Sequence, residues 1–414
     1  MSDDTHQPAP PTPAEHDRPV ELLLRLAEQL HRYGAPSHRI EGILTGLGEL
    51  LGLEVSIFCV PTMIEVAVGR DSRQRSLMLR VEPGATDLAR LESMLQIIDD
   101  LRAGRATPEM ALRRVDEVAA RPRHMNLLKV LAALGVTGAA AALIFGGGPR
   151  EIVAASIICA TAGFASSLLS REPSKIALAD FVAGAIVTLL ARCASGYFPT
   201  TSASIVTIAS LIAFLPGLSL ATAMNELAMR HLVSGTSRLM GAIMTFIAIG
   251  FGAAIGDRIA DQFVPMRIDV APLPLPSWAL APALLLAGTS LAILYRAHRR
   301  DLGWVLMGTT IGFGGAAFGE QLLGPALGVC VGATLVGLAG NALARMRPKP
   351  SALLVIPGIT LLVPGSAGFR GLHALMQKEV LSGIDTATTA ITVAGALVAG
   401  LLVANALYPS PRGL

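Results

Sequence analysis

Two regimes of hydrophobic patterning meet near residue 125 of this chain. Before that point apolar positions recur at helical or strand spacing among charged ones; beyond Asn126 they run on almost unbroken. In the first regime Leu22, Leu23, Leu26 and Leu30 fall on one face of a helix over Val20–Tyr33, which Gly34 ends. Pro36 and Ser37 open a second helix carrying Ile40, Ile43, Leu44 and Leu47, stopped by Gly52. Three β-rich runs follow, 54–60, 64–68 and 76–81, the first two joined by a turn at Pro61-Thr62. Helices return over 86–101 and 108–120, the latter with Thr107 as N-cap and Pro108 at its first position. These elements predict a small α+β domain over 20–123.

The second regime predicts ten helices, near 127–145, 151–170, 175–195, 202–230, 237–260, 278–296, 302–319, 324–344, 351–379 and 385–408. Most have about the 20 apolar residues needed to cross hydrocarbon. The expected fold class is thus an all-α polytopic membrane domain of about ten transmembrane helices, preceded by a soluble α+β domain. Composition agrees: 15% of the 414 residues are charged, where soluble proteins carry about a quarter. With 42 glycines and 4% aromatics, the helices are expected to approach one another closely. A net charge of +3 gives no case for a nucleic-acid partner; the implied partner is the lipid bilayer, and homo-oligomerisation stays open. Cys59, Cys159, Cys193 and Cys330 lie far apart and read as buried small hydrophobes. Residues 1–19 are acidic and Pro-rich without an apolar core, which reads as a disordered lead and not as a signal peptide.

The membrane region repeats itself. At an offset of 148 residues Gly184-Ala185 falls on Gly332-Ala333, Pro216-Gly217 on Pro364-Gly365, and Ser234-Gly235 on Ser382-Gly383. Leu227 meets Leu375, Ala242 meets Ala390 and Gly252 meets Gly400 without gaps. Two halves are expected, 124–270 and 271–414, with five helices each. An odd number per half predicts an inverted repeat, the architecture of secondary transporters. Counted as loop charges at the helix ends, Arg171, Lys175, Arg230, Arg238, Arg296, Arg299, Arg300, Arg345, Arg347 and Lys349 fall on the side of the N-terminus, against Arg150, Arg192, Arg258, Arg267, Arg370 and Lys378 on the other, which predicts both termini in the cytoplasm.

The candidate chemistry lies in the fourth and ninth helices, each with Pro-Gly near its centre. Proline removes a helical donor and clashes with the preceding turn, so each helix should kink or break. A break at mid-membrane exposes the start of a half-helix, with free N–H groups and partial positive charge suited to a carboxylate. The substrate-binding candidates are Pro216, Gly217, Ser219, Asn225, Pro364, Gly365, Ser366 and His373, the last falling on Asn225 in the repeat. Ser219 and Ser366 can hydrogen-bond a hydroxylated ligand. Ionisable groups within apolar helices are functional candidates by default, which nominates Glu226, Asp180 and Asp257 for proton coupling. The plainer readings are structural proline kinks and carboxylates at the membrane boundary. In the soluble domain His38 and Glu41 share a helix face near His31, but no further ligand recurs at a metal-binding interval, and a solvated face is the reading. No metal or cofactor is expected. No GxxxxGK[ST], GxSxG or HExxH motif occurs, so neither ATP-driven export by this chain nor an enzyme is expected.

The run LAEQLHRYGAPSHRIEGILTGLGELLGL over 26–53, the following β segment with Pro61-Thr62, and FLPGLSLATAMNELAMRHLVSGTSRL over 214–239 resemble the threonine/serine exporter family. The resemblance covers nearly all of the chain after residue 20. It implies export of threonine and serine across the cytoplasmic membrane, driven by the proton gradient. It also implies an acidic group after the Pro-Gly, here Glu226 beside Asn225. A split form of the family is associated with dicarboxylate export, which keeps that substrate class open; a second carboxylate would call for Arg370 or His373. A regulatory or enzymatic N-terminal domain tethered to membrane helices is the alternative from another class.

Overall fold

The computed structural model describes residues 13–71, 74–122, 125–170, 172–198, 200–264, 272, 275–376 and 378–410. The chain divides into two compact units between Arg123 and His124.

In the first unit, helices α1 (Pro13–Arg32) and α2 (Ser37–Leu50) precede strands β1 (Val55–Val60), β2 (Met63–Val68) and β3 (Arg75–Arg80). Helices α3 (Leu88–Arg102) and α4 (Pro108–Ala120) complete it. The strands form one antiparallel sheet in the order β1-β2-β3. Val60 pairs with Met63, so Pro61-Thr62 is a two-residue hairpin loop, and Phe58, Glu65 and Met78 share one cross-strand row. The leucines at 22, 23, 26 and 30 are fully buried, as are Ile40, Leu44 and Leu47. Burying each such side chain is worth about 2 kcal/mol. The Glu41 carboxylate accepts the Cys59 amide at 2.8 Å, tying α2 to β1. Asp87 caps α3 by accepting from the Arg90 amide, and Thr107 caps α4 by accepting from Met110.

Helix α1 begins at Pro13, ahead of the expected Val20. Residues 13–19 are therefore helical and not part of a disordered lead; residues 1–12 of that expected lead lie outside the described residues. Extending a helix already docked along its leucine face is far easier than nucleating one, and proline suits a first turn, where its missing N–H has no acceptor.

The second unit opens with α5 (Leu127–Ile144), α6 (Pro149–Leu169), α7 (Ile176–Tyr197), α8 (Ala203–Leu211), α9 (Gly217–Ala228) and α10 (Leu232–Phe263). It continues with α11 (Leu280–Leu294), α12 (Leu302–Leu323), α13 (Pro325–Met346), α14 (Ala352–Thr360), α15 (Gly365–Met376) and α16 (Val380–Leu407). Among the described residues nine helical segments are long and apolar enough to cross a membrane, the α14–α15 segment taken as one. The tenth expected crossing, 202–230, is α8 followed by α9, with 9 and 12 residues, each too short to span alone. The chain is a multi-pass membrane protein.

The halves pack alike. α7 lies against α10 as α13 lies against α16; α9 lies against α10 as α15 lies against α16; and α5 meets α11 across the halves. A Cβ at Gly252 would run into the Phe181 carbonyl, and one at Gly400 into the Cys330 carbonyl, so the same glycine lets the same two helices touch backbone to backbone in each half. The turns after α9 and α15 match as well. His231 N–H donates to Glu226 O and Glu379 N–H to Ala374 O, both at 2.9 Å. Arg230 and Lys378, 148 residues apart, both take positive φ, 65° and 66°.

Candidate functional site

Each half breaks its broken helix by the same hydrogen bonds. Leu215 N–H donates to Leu211 O at 3.1 Å and Val363 N–H to Ile359 O at 3.0 Å. Next comes a tight turn over the proline, with Gly217 N–H donating to Leu215 O and Gly365 N–H to Val363 O, both at 2.8 Å. The helix restarts when Leu220 N–H reaches Pro216 O at 2.9 Å and Gly368 N–H reaches Pro364 O at 2.8 Å. The amides of Leu218 and Ser219, and of Ser366 and Ala367, thus fall in first turns where no intrahelical acceptor exists.

These two restarts face each other. A Cβ at Gly217 would lie 3.0 Å from Val363 Cγ1; one at Gly365 would lie 3.5 Å from Leu215 Cβ and 3.7 Å from the Gly217 Cα. Two positively polarised helix starts in contact suit an anion such as a carboxylate. Pro364 and Gly365 are buried, Pro216, Gly217 and Ser366 half-buried, and Ser219 exposed. Asn225 and His373 lie two turns beyond the breaks, both half-buried. The His373 ring stacks on Phe369 with centroids 5.7 Å apart.

The three ionisable candidates occupy separate places. Glu226 is fully buried; Ser234 Oγ donates to its Oε2 at 2.7 Å, and Arg238 Nε donates to both carboxylate oxygens at 3.1 Å. Asp257 lies 3.4 Å from Arg192, which also reaches Asp261 at 2.9 Å. Asp180 is hydrogen-bonded by Thr245. Asp180 to Thr245 and Arg192 to Asp257 share one helix register, with Gly184 packed on Ile249 between them. They mark two ends of one α7–α10 seam.

Sequence reasoning missed Arg238 and Arg192, which it assigned to loops. Both lie inside helices, where i, i+4 spacing puts Arg238 on the same face as Ser234. It also missed Tyr295, whose hydroxyl lies 2.9 Å from that of Thr360, the last residue before the second break.

The threonine/serine exporter family profile matches residues 21–260, and a second threonine/serine exporter profile matches 282–407. The chain belongs to the threonine/serine exporter family. It is 25% identical over 339 residues to "Threonine/serine exporter" of Corynebacterium glutamicum, covering 79% of this chain and 69% of that protein. It is 23% identical over 423 residues to "Probable threonine/serine exporter" of Mycobacterium tuberculosis, covering 95% and 78%. "Pheromone-regulated membrane protein 10" of Yarrowia lipolytica is 25% identical over 393 residues, 89% of this chain but 32% of that protein. No solved structure matches. The exporter is accordingly a membrane transporter and not an enzyme, and family membership supports an amino acid as its cargo.

Proposed function

We propose that this exporter moves small hydroxylated amino acids, threonine and serine, out of the cell in exchange for protons. The observation that carries the reading is the contact between the two Pro-Gly restarts, at Gly217 and Gly365. In this reading the substrate carboxylate sits between the two half-helix starts, on the amides that follow Pro216-Gly217 and Pro364-Gly365. Ser219 and Ser366 take the substrate hydroxyl, and Asn225 and His373 line the path on either side of the site. The halves form an inverted repeat that rocks about this site, with both termini in the cytoplasm and the chain in the cytoplasmic (inner) membrane. Glu226, Asp180 and Asp257 are the carboxylates proposed for proton coupling.

The test is uptake of labelled threonine, serine and succinate into inverted membrane vesicles, with and without an imposed pH gradient. Gradient-stimulated uptake of threonine and serine is expected. Accumulation of succinate alone would assign the exporter to dicarboxylates, and amino-acid uptake indifferent to the gradient would remove the proton from the reaction.

A further inference from the structure

The turn that opens the second helix of each half is duplicated at an offset of 150 residues. Gly147 N–H donates to Ala142 O at 2.8 Å and Ala297 N–H to Ala292 O at 2.9 Å. Gly146 and Arg296 both take positive φ there, 78° and 54°. The same offset sets Glu151, in the first turn of α6, on Asp301, the residue before α12. Both carboxylates are buried, 2% and 1% exposed. A buried carboxylate is costly unless it is paired or hydrogen-bonded, and these two find their partners on the same element of each half.

Glu151 joins two helix starts. Its Oε2 accepts the Gly148 amide at the head of α6, and its Oε1 accepts the Ser202 amide at the head of α8, both at 2.9 Å. The residue 148 positions beyond Ser202 is Pro350, which has no N–H to give. In the second half a side chain stands in: Lys349 Nζ donates to Asp301 Oδ1 at 2.7 Å. Asp301 Oδ2 has no hydrogen bond among the described residues and lies 3.7 Å from Arg300 Nε. Each half thus ties the head of its broken helix, at α8 or α14, to the head of its second long helix. α8 packs on α6 and α14 on α12. The second contact is so close that a Cβ at Gly308 or Gly312 would run into the Leu354 or Gly358 carbonyl.

α8 and α14 carry the Pro-Gly breaks at their far ends. A helix of 9 residues is a stiff rod of about 14 Å, so holding its head holds the place where the break turns. Resting on the exporter reading, we propose that Glu151 and Asp301 are positioning residues of the transport site. Each anchors the half-helix before a break, and together they keep the two restarts face to face. Neither carboxylate touches substrate. The anchors differ in kind: Glu151 holds backbone amides, whereas Asp301 holds one ammonium on a flexible four-carbon stem. The second anchor can therefore be removed through side chains alone.

The test uses the full chain, in proteoliposomes with labelled L-threonine and in nanodiscs for hydrogen exchange. Asp301→Asn with Lys349→Met removes the second anchor as a pair, and replacing both members of a buried ion pair is often near neutral for stability. The double variant is expected to unfold at the wild-type temperature. Its threonine KM should rise about tenfold or more while kcat stays within about threefold, and amides over 352–360 should exchange faster. Glu151→Gln, which turns an N–H group toward one of the two amides, should raise KM in the same way and quicken exchange over 203–211. A wild-type KM in the double variant or in Glu151→Gln, or unchanged exchange in both half-helices, shows that the carboxylates only hold the fold and overturns the proposal. Should wild-type protein move no threonine, the exporter reading fails, and exchange over 203–211 and 352–360 still decides whether the two carboxylates anchor the half-helices.

Discussion

Arg238 on α10 grips Glu226 on α9 through its Nε, 3.1 Å from each carboxylate oxygen, and the carboxylate has no exposed surface. The pair exists in one half only, since the residues 148 positions on are Ala374 and Thr386. Removing one member of such a buried pair strands the other charge, a loss of about 3–5 kcal/mol, whereas replacing both with apolar groups is often near neutral. Glu226→Gln and Arg238→Met should each lower thermal stability in detergent, and the double variant should regain most of it. Equal, additive losses would show that the two side chains do not stabilise each other.

The facing restarts at Gly217 and Gly365 lead to a prediction about transport. Pro216→Ala with Gly217→Leu restores a continuous helix between α8 and α9 and fills the space against Val363. A hydrogen bond to a charged group is worth about 1.5–3 kcal/mol, so losing two amide donors should slow threonine efflux by roughly 100-fold or more. The protein should still insert and purify. Wild-type rates at normal expression would mean that the breaks are structural kinks and that substrate binds elsewhere.

The duplicated glycine contacts predict matched damage. Gly252→Val and Gly400→Val both push a side chain into a helix backbone, at Phe181 and at Cys330. Both should sharply reduce the yield of monodisperse protein. Gly241→Ala and Gly395→Ala meet nothing within 4 Å and should be stabilised by up to about 1 kcal/mol through helix propensity. Size-exclusion profiles of the four variants decide; a well-behaved Gly252→Val would refute the close α7–α10 contact.

In the soluble domain Asp100 binds Arg114 at 2.7 Å and Arg105 at 2.8 Å. The hydrogen bond from Arg114, then that from Arg105, hold its carboxyl below its ordinary value. A depressed folded-state value means that this contribution is present above the unfolded value and is lost as pH falls through the folded one, in the acid range below about pH 4. The pair is partly solvated, so the effect is small, about 0.5 kcal/mol. Hydrogen exchange in α3 and α4 should quicken in Asp100→Asn at pH 7, and the difference from wild type should vanish under acid.

The change of pattern near residue 125, the apolar runs and the gapless repeat were legible in the sequence because they depend on local chemistry. A leucine at every third or fourth position makes a helix face wherever it occurs, and Pro216 and Pro364 deny a helix its donor whatever surrounds them. The start of α1 was misplaced because residues 1–19 are acidic and Pro-rich without an apolar core, while the docked leucine face carried the helix back to Pro13. Only tertiary structure decided which side chains meet. Arg192 and Arg238 read as loop charges, yet helix register turns them onto Asp257 and Glu226. Nothing local in either Pro-Gly break states that the other lies against it. Such contacts join residues tens to hundreds of positions apart, and they depend on how each helix is rotated and how far it slides along its neighbour. Those two quantities are set by close packing across the bundle, through contacts such as Gly252 on Phe181, and the sequence of a single helix carries neither.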